Sequence, residues 1–596
     1  MAPPGPRWTK MEKPKDLMGS FRDLVSYMGP MRRGIALGLV FSVLAAVMSL
    51  IGPQVLARIT DALSADIMQG IPFEMGYVTR LCLMLVMIYA AGMLFSTVEQ
   101  YLIMTTSERI GAMMRRDLAT KLDRLPIGFL DSRETGDVMS RMTNDSDTVS
   151  SSCGNSINHL IIAVTMLVGS LAMMLYTEWR LAVVAVIPAT IGFFVLFTFT
   201  RRTQRFFRSQ QRDLGSMNTL VEEVYHGHDI VRLYNNTEET ASRFSDINDS
   251  LFESGFKARF ITGMMPQMMG FIGNLGYVIV CVVGSAMVLE GMIGYGVIVA
   301  FIVYIRQFTH PIVQISDSTA QLQSVVSASE RVFEFLDEPE MPDQPDDPDF
   351  VFGGGRVEFR GVRFGYQPGR EIIHGLDLVV GAGSKVAIVG PTGSGKTTIA
   401  NLLMRFYEVD DGEILIDGTP VSRLSRSQLR GLFSMVLQDS WLFDGTVAEN
   451  IAFSRTDAPR SAIEDAARAV GIDRFVSTLP DGYDTAIGNG SGLSMGQRQQ
   501  ISIARAIVRN APMVIMDEAT SSVDTRTERT IQEAMARLTE GRTSFVIAHR
   551  LSTIRDSDVI LVVRDGDIVE KGTHEELLAL GGFYKELYDS QFENCE

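Results

Sequence analysis

Residues Ser384–Tyr407 read SKVAIVGPTGSGKTTIANLLMRFY, and this stretch decides the fold of the second half of the chain. It runs as a short apolar strand (Ser384–Val389), a glycine loop and a helix. Gly390, Pro391, Thr392, Gly393, Ser394, Gly395, Lys396 and Thr397 match the G-x-x-x-x-G-K-[ST] phosphate loop, and Thr398 continues it. Glycines let the backbone N–H groups curl around phosphate oxygens, and the helix N-terminus adds positive potential. Lys396 is placed to reach the β- and γ-phosphates of ATP, and the Thr397 hydroxyl to bind Mg²⁺. The context is that of an α/β nucleotide-binding domain.

Downstream, MVIMDE (Met513–Glu518) reads as a second strand ending in two carboxylates. Asp517 is expected to hold Mg²⁺ through water, and Glu518 to orient the attacking water or take its proton. A strand ending in Asp-Glu says little alone, since surface acids often follow buried strands. The phosphate loop gives the pair its meaning.

The rest of the chain is of another kind. It has 596 residues and a net charge of −16, which argues against nucleic acid as a main partner. The cysteines, Cys82, Cys153, Cys281 and Cys595, lack disulfide or metal-ligand spacing. Six stretches in the first half approach the ~20 apolar residues that cross a bilayer: Gly34–Ala57, Leu81–Val98, Leu160–Thr177, Leu181–Thr200, Ile261–Leu289 and Gly291–Ile305. Arginines and lysines crowd the segments between spans two and three (Arg109 to Arg141) and between spans four and five (Arg201 to Arg259). The short connections Tyr176–Arg180 and Leu289–Gly294 carry one positive charge and none. The basic segments therefore face the cytosol, as do both termini and the nucleotide-binding domain. The first residues lack the apolar core of a signal peptide.

These observations predict a six-span α-helical transmembrane domain fused to a cytosolic α/β nucleotide-binding domain. The expected divisions are 1–30, an N-terminal segment with an interfacial helix; 31–321, the spans with two long intracellular loops; 322–355, a linker rich in proline, aspartate and glycine at its end; and 356–596, the nucleotide-binding domain.

The motif series resembles that of an ABC exporter over nearly the whole chain: RFGYQPG, the phosphate loop, VLQDSWLFDGTVAENI, LSMGQRQQISIARAI, MDEATSSVD and VIAHRLST. The resemblance implies that Tyr366 stacks on adenine. Gln438 would link Mg²⁺ and the attacking water to the membrane domain, Asp524 would speak across a nucleotide-sandwich dimer, and His549 would contact the γ-phosphate. The segments near Phe129–Asp137 and Gly227–Tyr234 resemble the coupling helices of such exporters. The implied protein is an ATP hydrolase of the cytoplasmic (inner) membrane. Embedded in membrane lipids, it exports hydrophobic or amphipathic small molecules together with a second half-transporter subunit.

The signature Leu-Ser-Gly-Gly-Gln stands here as Leu493, Ser494, Met495, Gly496 and Gln497, with methionine in place of the first glycine. Methionine adds bulk and forgoes glycine's access to positive φ. Losing one phosphate-stabilising donor costs a rate factor of about 10²–10³ by analogy with oxyanion donors. Asn489 lies in an upstream run, DTAIGNGSGLS, that also departs from the pattern. Such departures resemble bacterial heterodimeric exporters, in which one chain keeps the catalytic glutamate and its partner supplies an intact signature. Methionines such as Met264 and Met268 and phenylalanines such as Phe193 and Phe197 would suit varied apolar substrates. A dedicated lipid, peptide or siderophore transporter on the same scaffold, and a membrane-tethered ATPase regulator, are the alternatives.

Overall fold

The computed structural model describes residues 17–69, 74–342, 344–367, 369–438, 440–488, 490, 492–517, 525–548 and 551–591. It divides into two compact units, one of residues 1–124 and 133–339, the other of residues 125–132 and 340–596.

Among the described residues of the first unit, five helices are long and apolar enough to span a bilayer: Arg32–Met68, Met75–Arg124, Thr135–Thr177, Thr237–Leu289 and Tyr295–Leu336. The fourth expected span falls in the unbroken helix Trp179–His226, whose apolar part among the described residues is the shorter Trp179–Phe194. The helix from Tyr295 continues to Leu336, so residues 322–336, assigned to the linker from sequence, are helical. Apolar residues from several of these helices pack together, with Phe301 and Tyr304 fully buried against Leu50, Leu181 and Val280. Pro53 lies inside the first long helix and lacks an N–H, so the Ser49 carbonyl loses its helical donor. The last span replaces it: Gln307 Nε2 donates to Ser49 O at 3.2 Å, and Tyr304 Oη donates to the neighbouring Leu50 O at 2.9 Å.

The N-terminal helix Leu17–Tyr27, expected at the interface, packs on the protein. Leu24 is fully buried, and Tyr27 Oη donates to Asp117 at 2.6 Å. Near the ends of the helices Thr135–Thr177 and Tyr295–Leu336, buried Arg141 donates to Arg331 O at 3.0 Å and pairs with Asp137 at 3.1 Å, while Arg331 grips Asp145 with two nitrogens.

The second unit holds a six-stranded sheet and a four-stranded antiparallel one. In the larger sheet the order is Asp567–Gly572, Val559–Arg564, Lys385–Val389, Thr543–Ile547, Met513–Asp517, Phe433–Val436. All neighbours are parallel except the first pair. Strand alternation sends Val386, Ile388, Ile515 and Phe545 to one core and Ala387, Val389, Val514 and Val546 to another, so both faces are covered.

The first coupling segment differs from expectation. In place of one helix near Phe129–Asp137 there are two short ones, Ile127–Asp131 and Thr135–Ser140, and the unit boundary falls between them. Extended backbone at Glu134 separates the two. The second coupling helix, His228–Leu233, lies within the expected segment.

Candidate nucleotide site and signature turn

The phosphate loop leaves the carboxyl end of the central strand Lys385–Val389 and enters the helix Lys396–Leu403. Ile399, Leu402 and Leu403 bury that helix in the core, each contributing about 1.5–3 kcal/mol. The loop's glycines are required by its backbone. Gly390 has φ +155°, and a Cβ there would stand 2.1 Å from the Val563 carbonyl oxygen. Gly395 turns into the helix with φ +103°.

Lys396 is buried, and its Nζ donates to Gly390 O at 2.8 Å and Pro391 O at 2.9 Å. Burial pulls its pKa down, and the charge of Asp517 partly offsets that. The Ser394 hydroxyl is buried with no hydrogen-bond partner among the described residues. An orphan hydroxyl, a buried ammonium and a glycine cradle fit a phosphate ligand. Thr392, Gly393 and Thr397 are exposed.

Other predicted residues cluster by topology. Asp517 ends the strand Met513–Asp517, two strands from the phosphate loop's own, and Gln438 follows the neighbouring strand Phe433–Val436 and is exposed. Both therefore sit at the carboxyl edge of the parallel strands, where such sheets bind ligands. Tyr366 is half-exposed, its hydroxyl 3.3 Å from Thr398 Oγ1 and from Asn401 Nδ2, and its ring packs edge-on against Tyr407 with centroids 4.9 Å apart. Glu518, Asp524, His549 and Asn489 lie outside the described residues.

Sequence reasoning missed Tyr407. Its hydroxyl bonds Asp131 of the helix Ile127–Asp131, and burial together with that carboxylate pushes its pKa up. Its place at the end of the quoted stretch gave no sign of this contact, which joins residues far apart in sequence.

The signature residues Ser494–Gln497 open the helix Met495–Arg509. Ser494 is the N-cap: its hydroxyl accepts from Gln497 N at 3.3 Å, and Gln497 Oε1 accepts from Ser494 N at 2.9 Å. This reciprocal cap is the S-x-x-Q form of a capping box. Met495 is the first helical residue, without positive φ, and its side chain is 54% exposed. The expectation that glycine is needed for the turn's backbone is therefore corrected. Methionine accommodates this turn because a helix start asks for ordinary negative φ.

A family model described as the ABC transporter transmembrane region matches residues 35–312, and one described as ABC transporter matches residues 373–521. Across 98% of this chain and 99% of the relative, 41% of residues are identical to a Mycobacterium bovis protein named fatty acid ABC transporter ATP-binding/permease protein. The chain belongs to the ABC transporter family. A second relative, the ATP-dependent lipid A-core flippase of Salmonella typhimurium, is 36% identical over 83% of this chain and 86% of its own. A solved structure titled a bacterial Atm1-family ABC exporter with ATP bound superposes with a TM-score of 0.73 at 28% identity, covering 94% of this chain and 99% of that one. This ABC transporter is thus a multi-pass membrane protein of the exporter fold, whose ATP-binding domain hydrolyses ATP to drive transport.

Proposed function

We propose that this chain is one half of an exporter that moves a lipid-like amphipath across the cytoplasmic membrane, with its nucleotide-binding domain and both termini in the cytosol. The observation that carries the dimeric part is the signature turn, whose Ser494 and Met495 stand exposed at the start of their helix. An exposed helix start bearing free N–H groups suits a phosphate brought by a second subunit. The names of the fatty acid and lipid A-core relatives support the substrate class.

In this reading Tyr366 stacks on adenine, and Gly390–Thr398 cradle the phosphates. Thr397, Gln438 and, through water, Asp517 would hold Mg²⁺, which supplies charge neutralisation at the transferred phosphoryl group. Glu518 orients the water, His549 contacts the γ-phosphate, and Asp524 faces the partner. The second coupling helix, with Ile230, Leu233 and Tyr234 all more than 60% exposed, seats in the partner's nucleotide domain. The partner is a different chain with an intact signature, because the Met495 side chain stands where the partner's nucleotide must approach. One observation favours a homodimer instead: the capping box is complete with Met495 in place.

The test is ATPase turnover in nanodiscs for the chain alone and with its partner, as wild type and Glu518→Gln. Turnover only in the mixed complex, abolished by the single substitution, supports one working site per heterodimer. Brisk Glu518-dependent turnover by the chain alone sinks the heterodimer and leaves a homodimeric exporter.

A further inference from the structure

The last span carries a polar track that begins in mid-membrane. Arg306, His310, Asp317 and Gln321 are all exposed, and their spacing keeps them within about 60° on one face of the helix Tyr295–Leu336. On the outer side of Arg306 the same face bears Val299 and Val303. The face therefore changes from apolar to polar at Arg306. At about 1.5 Å per residue, Arg306 lies about 16 Å from the outer end of the helix, near the middle of a hydrocarbon core of about 30 Å.

A guanidinium at that depth is costly in lipid, so such residues face an interior or water-filled surface and pair with something. Among the described residues Arg306 has no carboxylate partner. Asp317 stands about 16 Å further along the helix, too far to reach it. The opposite faces of the span are already engaged. Gln307 and Tyr304 bond the first long helix, and Gly276 and Gly273 of the fifth span approach Ile305 and Thr309. The fifth span also exposes Gln267 and Asn274 in the part that lies beside these residues. Ser156 of the third span donates to Gln321 at 3.2 Å, so the polar track is held in register with the third span at its cytosolic end.

We propose that Arg306, with His310 one turn below, is the headgroup subsite of the transport path and takes the carboxylate of a single-chain amphipath. This deepens the lipid-exporter reading and rests on it. The polar track admits an anionic head from the cytosolic side as far as Arg306, where the charge-assisted bond forms. Val299 and Val303 offer the apolar continuation for the acyl chain. A planar, permanently charged guanidinium suits a carboxylate held in two places, which an ammonium matches only in part.

The experiment uses the full assembly in nanodiscs and measures ATPase stimulation and vesicle uptake with palmitate and with hexadecanol, the same chain lacking charge. The wild type should respond to palmitate at a concentration about tenfold or more below that for hexadecanol. Arg306→Gln should remove that preference by weakening the palmitate response alone, and Arg306→Lys should restore part of it. The unchanged hexadecanol response reports that the substituted protein is folded and coupled. Equal responses to acid and alcohol in the wild type overturn the subsite and leave the lipid reading standing, as does a loss of both responses together in Arg306→Gln and in Arg306→Lys. If neither compound stimulates or is moved by the wild type, the lipid reading falls and the subsite with it.

Discussion

The two short helices at the tips of the long membrane helices sit in opposite surroundings. The first, Ile127–Asp131, is counted with the nucleotide-binding unit: Leu125 is buried, Gly128 lies against the Tyr407 ring, and Asp131 accepts from the Tyr407 hydroxyl. The second, His228–Leu233, has no buried residue, and Tyr225, Ile230, Leu233 and Tyr234 are 63–80% exposed. A cluster of large apolar side chains outside the lipid-facing region is unusual for a surface that stays bare. The difference teaches that one tip is completed by its own chain. The other has its cover supplied by a second subunit, in the reading proposed above.

Three substitutions would break or sharpen that comparison. The largest effect is expected for Leu233→Asp. It should cut ATP-driven transport by about tenfold or more, through a charge buried at the subunit contact, while the unfolding midpoint of the separated chain stays put, since exposed substitutions usually change stability by about 0.5 kcal/mol or less. A large drop in that midpoint would mean the tip is covered by its own chain, and the contrast would collapse. Next comes Gly128→Val. A Cβ there already meets the Tyr407 ring at 3.0 Å, so the larger side chain should destabilise the first tip by about 1–3 kcal/mol. Thermal unfolding of the nucleotide unit and the number of substrate molecules moved per ATP should fall together. The smallest effect belongs to Tyr407→Phe, which removes one hydrogen bond to Asp131, of net worth about 0.5–1.5 kcal/mol. Restoration of coupling by Asp131→Asn in that background would show that an unpaired carboxylate, rather than a lost packing contact, was responsible.

How much of this was legible differs residue by residue. The phosphate loop could be read from Gly390 to Thr397 because its glycines answer a local backbone demand, with φ of +155° at Gly390, +83° at Gly393 and +103° at Gly395. The spans could be read because hydropathy is a local sum over each helix. Met495 was read as spoiling a turn. Its backbone proved ordinary because Ser494 and Gln497 had already closed the capping box. Arg306 stood in plain view as the end of a span, and its spacing with His310 was the signal passed over.

The sequence by itself therefore determined the element types, the order of the two domains and the ATP-binding class of the second. These follow from periodicity and local conformational preference within single segments. Only the tertiary structure decided which tip joins the nucleotide unit, and that Tyr407 links Tyr366 to Asp131. Those contacts join residues far apart in the chain, and their strength depends on burial and on the partner's position, which no local pattern encodes.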